Sequence, residues 1–136
     1  MSRFLASALC LVVLIGCQLP PEQVALKPLP EDGTPVPYVD LTNRTKAQVD
    51  AAREAFYEDN WLTLEESGKI LQQTSRLLVK TTDVPARHKD SLAVEAGDLN
   101  KEATKLREAA KTKDVKAANE SLQQLHLLVR QLSVSK

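Results

Sequence analysis

The chain has 136 residues, with 18 basic and 18 acidic side chains and a formal net charge of zero. That length holds one modest domain, and a balanced charge with no basic stripe argues against a nucleic-acid surface. There is no Gly-rich phosphate loop, nucleophile elbow, Ser-His-Asp candidate or Glu-x-x-His pair, so nothing in the motifs argues for an enzyme or for a di-metal site in a helical bundle.

Arg3 is the only charge before residue 17, and behind it Leu5 to Ile15 form an apolar run that ends at Gly16. A run of about eleven residues is well short of the roughly 20 that a spanning helix needs, so residues 1–16 read as a signal peptide that is removed. Leu14-Ile15-Gly16-Cys17 resembles the lipobox of bacterial lipoproteins at all four positions. The resemblance implies cleavage before Cys17, a diacylglycerol on its sulfur and a fatty acyl group such as palmitate on its new amino group. Gln18, where an Asp would retain the protein at the inner membrane, is similar to the residue that permits sorting outward. The implied location is the cell envelope, lipid-anchored through Cys17 with the domain facing the periplasm, outer membrane favoured over inner. Cys10 leaves with the leader and Cys17 is blocked, so the mature domain is expected to have no thiol and to be held by its core alone.

Residues 17–41 read as the lipidated cysteine and a linker. Six of the seven prolines fall here, at 20, 21, 28, 30, 35 and 37, and no regular helix survives that spacing. At about 3.1 Å per residue in an extended polyproline conformation, some twenty residues hold a domain up to roughly 60 Å from the lipid. Val24, Leu26 and Leu29 lying along the domain would shorten that reach.

Residues 42–136 read as a helical bundle domain, rich in good helix formers. The first segment is expected from about Asn43 to Tyr57, with Thr42 or Thr45 as cap and Thr45-x-x-Gln48 as a capping box. The second runs from about Trp61 to Lys80 behind a cap in Glu58-Asp59-Asn60. Its seam is Trp61, Leu64, Gly68, Leu71, Ser75 and Leu78, where the small residues leave room for a close helix approach. The third is expected to start at Pro85, capped by Asp83, and to carry Leu92, Ala96, Leu99, Ala103, Leu106 and Ala110 inward. His88 is read as partly exposed on its first turn. The fourth opens on Asp114 and presents Val115, Ala118, Leu122, Leu125, Val129 and Leu132 as its stripe. The expected fold is all-α, an up-down-up-down antiparallel four-helix bundle after an unstructured tether, with a three-helix arrangement as the rival.

His126 and Arg130 sit one turn apart at the edge of that last stripe. The pattern Leu122-Gln123-Gln124-Leu125-His126-Leu127-Leu128-Val129-Arg130 resembles the end of the cytochrome c prime family, whose last helix carries Cys-x-x-Cys-His and a basic residue four positions on. Leu122 and Leu125 stand where the two haem-binding cysteines would be, His126 where the iron ligand would be, and Arg130 where the basic residue would be. The covalent attachment is thus absent. The resemblance, carried also by the Ala-rich third helix and the Asp59-Asn60-Trp61 start of the second, spans about residues 42–134.

Two functions follow from these residues. The first has no cofactor: an envelope lipoprotein whose bundle is structural or meets an envelope protein partner. The alternative is a redox or gas-sensing protein holding haem b without covalent bonds, His126 on the iron and Arg130 near a propionate. The resemblance further implies pairing of two copies through the first two helices. Phe56, Tyr57 and Trp61 are then the aromatic cluster whose exposure would mark a partner site.

Overall fold

The structure is a computed structural model and describes residues 27–133; the leader, the lipobox and Cys17 lie outside the described residues. Among the described residues four helices follow in order, α1 (Tyr38–Tyr57), α2 (Trp61–Leu78), α3 (Leu92–Thr112) and α4 (Val115–Leu132), with a single 3-10 turn at Ala86–His88. They run alternately up and down, each packed on the next, and α1 closes the ring against α4. The fold is the all-α four-helix bundle that the heptad spacing predicts, not the three-helix rival. The expected stripes meet in one core, with Leu64, Leu71, Leu78, Leu99, Leu106 and Leu125 fully buried. Val115 is the exception on α4, exposed at its first turn.

The caps account for where the helices stop. Asn60 Oδ1 accepts from the Thr63 amide (3.1 Å) and Asp114 Oδ1 from the Ala117 amide (3.0 Å), as the sequence suggests for both starts. At the C-terminus of α3, Lys113 turns left-handed at φ 54°, so that its amide reaches Ala110 O and the Asp114 amide reaches Ala109 O. Asp59, at φ 56°, ends α1 in the same way. Both are Schellman closures without the usual glycine.

Two boundaries differ from expectation. α1 begins at Tyr38 rather than Asn43, because Pro37 can hold the N-cap position and the Tyr38 amide is taken up by Thr82 O at 3.1 Å. Thr42 and Thr45 are therefore inside the helix, bonding back to Val39 O and Leu41 O. The capping box does not form; Gln48 is instead fully buried, its Oε1 2.9 Å from the Thr74 hydroxyl and its Nε2 without a partner. The second difference is at α3, which starts at Leu92 rather than Pro85. Asp83 sits at φ 58° and caps nothing, and Pro85 leads only into the 3-10 turn.

Tyr38, which the 42–136 boundary leaves out of the domain, is one of its anchors. The ring is fully buried and its hydroxyl donates to Leu132 O at 2.7 Å, tying the start of α1 to the last carbonyls of α4. Burial first, and Glu95 second, push the phenol from 10.0 up to about 12. An unfolded chain then loses this proton at lower pH than the folded one, so stability present below pH 10 is lost as pH rises toward 12. The loss should be about 2 kcal/mol, somewhat less than two full units imply. Urea midpoints followed across this range should fall less steeply for Tyr38→Phe, which starts about 1 kcal/mol lower for want of its hydrogen bond. Parallel curves for the two proteins would mean that the phenol meets water.

The linker does not all stand clear of the bundle. Residues 27–37 lie in the outer groove between α1 and α2, where Arg44 donates to Lys27 O, Gln73 Nε2 donates to Leu29 O at 2.8 Å, and Arg76 pairs with Glu31 at 2.8 Å. The Arg76 guanidinium holds the exposed Glu31 carboxyl below its ordinary range. Leu29 and Val36 pack against the core. Only about ten residues separate Cys17 from Lys27, which cuts the reach of the tether from roughly 60 Å to ~31 Å.

Candidate interaction site beside His126

α4 turns Leu122, Leu125, Val129 and Leu132 into the core, and at 100° per residue this sends their neighbours outward. His126 and Arg130 are both exposed, on the outer edge of the stripe. They line a groove between α4 and α1. At one stretch it is flanked by Lys46, Asp50 and Arg130, and at the next by Arg53, Phe56, Tyr57 and Leu122; His126 and Leu127 belong to both. The rim is therefore mostly basic and the floor, at Val49, Val129 and Leu122, apolar. Lys46 and Arg53 were legible in advance as an i, i+7 pair on one helix face; what sequence could not supply was which helix that face meets.

His88 is a correction. It is 5 % exposed rather than at the surface. Its Nε2 accepts from Arg87 Nε at 3.0 Å, which leaves Nδ1 as the donor to Glu95, 3.0 Å from Oε2 and 3.2 Å from Oε1. Ser91 also donates to Glu95 at 2.7 Å, Arg87 donates to Ser133 O at 2.7 Å, and the Tyr38 ring lies 5.6 Å away. This network joins the start of α1 and the end of α4 to the α2–α3 connection. Every polar atom of the imidazole has a protein partner, so its role here is to lock the fold rather than to ligate. Among the described residues no group of three His, Cys, Asp or Glu is placed to hold a metal ion.

No family model matches this chain, and neither does any curated protein or solved structure. The likeness to cytochrome c prime stands on the residues of α4 and its neighbours alone. Those residues do not fit a haem. An iron ligand on α4 must face a porphyrin slotted between helices, whereas the His126 ring faces outward and Leu122 and Leu125 fill the space inside it. His88, the one other histidine of the chain, is committed to Glu95 and Arg87.

Proposed function

We propose that the mature protein is a non-catalytic envelope lipoprotein, anchored through acylated Cys17, whose bundle serves as a structural and protein-interaction module. The observation that carries the anchor is Leu14-Ile15-Gly16-Cys17 directly behind a short apolar run with a single preceding charge. Several acyl chains at about 0.8 kcal/mol per buried methylene hold a domain on a bilayer where one would not. The described residues contain no helix long and apolar enough to cross a membrane. The basic, apolar-floored groove between α1 and α4 is the face we assign to an envelope protein partner. Its rim charges, Lys46, Arg53 and Arg130, stand on two packed helices, which suits recognition of a surface carrying carboxylates over an apolar ridge.

Expression of the full chain and of Cys17→Ser in a Gram-negative host tests the anchor. Wild type should be labelled by an alkyne fatty acid, shortened by the leader and recovered with membranes. The variant should lose the label and leave the membrane fraction. An unlabelled wild type, or a Cys17→Ser protein that stays with membranes in the same proportion, would overturn the proposal.

A further inference from the structure

The end of the bundle formed by the α1–α2 turn carries an aromatic collar. Tyr57 is 75 % exposed and Leu62 80 %, and beside them Phe56 and Trp61 are half-buried, the Phe56 ring lying 5.8 Å from Tyr57 and 6.0 Å edge-on from Trp61. Val115, at the start of α4, is exposed at the same end. Among the described residues the opposite end exposes only the smaller Val39, Val79 and Val94 of the large apolar side chains. Trp61 and Tyr57 are amphipathic side chains that favour the boundary between lipid headgroups and acyl chains. Trp61 keeps its Nε1 proton bonded to Asp59 at 2.5 Å, so the indole needs no water for that group.

We infer that this aromatic end docks on the lipid bilayer that carries the protein's own anchor, so that the bundle lies against the membrane instead of standing off it. The inference rests on acylation of Cys17. The described chain starts near Arg44, which is about 20 Å of helix from Tyr57, while the ten or so residues back to Cys17 cover ~31 Å. The anchor can therefore sit in the leaflet beneath the collar with length to spare. It also holds the collar near the bilayer at all times, so a patch too small to bind lipid alone is sufficient once tethered.

The competing occupant is a second copy. Five side chains are far fewer than the roughly 20–30 residues a side that a stable protein interface uses. Pairing through the outer face of α1 and α2 would meet the Lys27–Pro37 segment, already held there by Arg44, Gln73 and Arg76. The collar end carries both signs of charge, Glu54, Glu58, Asp59 and Asp114 against Lys111, Lys113 and Lys116, with no basic excess to draw it to anionic lipid. Docking should therefore occur on zwitterionic lipid and withstand added salt.

Trp61 is the only tryptophan of the chain and reports directly. The acylated full-length mature protein is reconstituted into phosphatidylcholine vesicles with and without bromine on the acyl chains. Brominated lipid should lower Trp61 emission by roughly twofold, with a blue shift, and a Tyr57→Ser/Leu62→Ser protein that still floats with the vesicles should lose most of that quenching. Both substituted positions are exposed, so the variant should fold as wild type does. A protein that floats with vesicles but shows no quenching overturns the docking and leaves the anchor intact. Lack of quenching together with a disulfide-linked dimer of Leu62→Cys would assign the collar to a second copy. A protein that carries no acyl mass and does not float overturns the anchor and the docking together.

Discussion

Gly68→Val should lower the stability of the bundle by about 3 kcal/mol, a fall in Tm of roughly 10 °C or more for a domain of this size. Gly68 lies where the backbones of α2 and α3 are in close contact. A Cβ placed there would stand 3.1 Å from Ala103 O, from Arg107 N and from Arg107 Cβ. Two of these neighbours are backbone atoms of a packed helix, so they cannot swing aside as the end of a long side chain can. One methyl group demands a shift of a few tenths of an ångström, and a branched side chain demands that the helices part. Parting them would also stretch the Gln72–Thr104 hydrogen bond (2.6 Å) one turn along. Gly68→Ala is the informative control. Its contact penalty is opposed by the ~1 kcal/mol that alanine gains over glycine within a helix, so it should fall within about 0.5 kcal/mol of wild type. Thermal melts followed by circular dichroism would decide; an unchanged Tm for Gly68→Val would mean that α2 and α3 are not in contact at this level.

Leu125→Ala and His126→Ala, adjacent in sequence, should differ by about 3 kcal/mol in stability. Leu125 is fully buried in the core, and its truncation removes apolar contacts on every side while rigid neighbouring helices limit collapse. His126 is exposed on the groove rim, so its loss should change stability by less than about 0.5 kcal/mol. Urea midpoints of the two variants against wild type measure the contrast. Equal and large losses would place the imidazole inside the bundle and reopen the question of a buried ligand there. A silent His126→Ala would leave its effect to be sought in partner capture through the α1–α4 groove.

The heptad positions were legible because packing against a neighbour is the one thing an apolar stripe can do. Leu92 through Ala110 and Ala118 through Leu132 are buried as their spacing predicts. Gly68 and Ser75 are packed close to α3, as small residues on a seam suggest. Asn60 and Asp114 were legible as caps for a similar local reason, since each bonds an amide only three residues away.

Polar residues were harder to place, because their burial depends on partners distant in the chain. His88 looked like a surface residue on a first turn, but the Tyr38 ring covers it at 5.6 Å, Arg87 beside it reaches Ser133 O, and a 3-10 turn takes the place of that helix. Tyr38 looked like linker, since its one hydrogen-bond acceptor is the carbonyl of Leu132 at the other end of the domain. Thr45 and Gln48 had the spacing of a capping box, and the helix simply began earlier. His126 was legible only as an edge residue: at the edge of a stripe, about 100° separates facing the core from facing solvent, and the structure puts it on the solvent side.

The sequence by itself determined the number of helices among the described residues, the antiparallel pairing of α1 with α2 and of α3 with α4, and most of the core. These follow from local chemistry: helix periods, and junctions at 58–60 and 113–114 too short to permit any but antiparallel neighbours, whereas the longer 79–91 connection leaves the direction of α3 to packing. Tertiary structure alone decided that residues 27–37 are held on the bundle, that His88 is locked within it, that His126 and Arg130 form the rim of a groove, and that Tyr57, Trp61 and Leu62 share one exposed end. Each of those outcomes depends on how two helices are rotated against one another. That rotation is set by the summed packing of all four, which no single segment encodes.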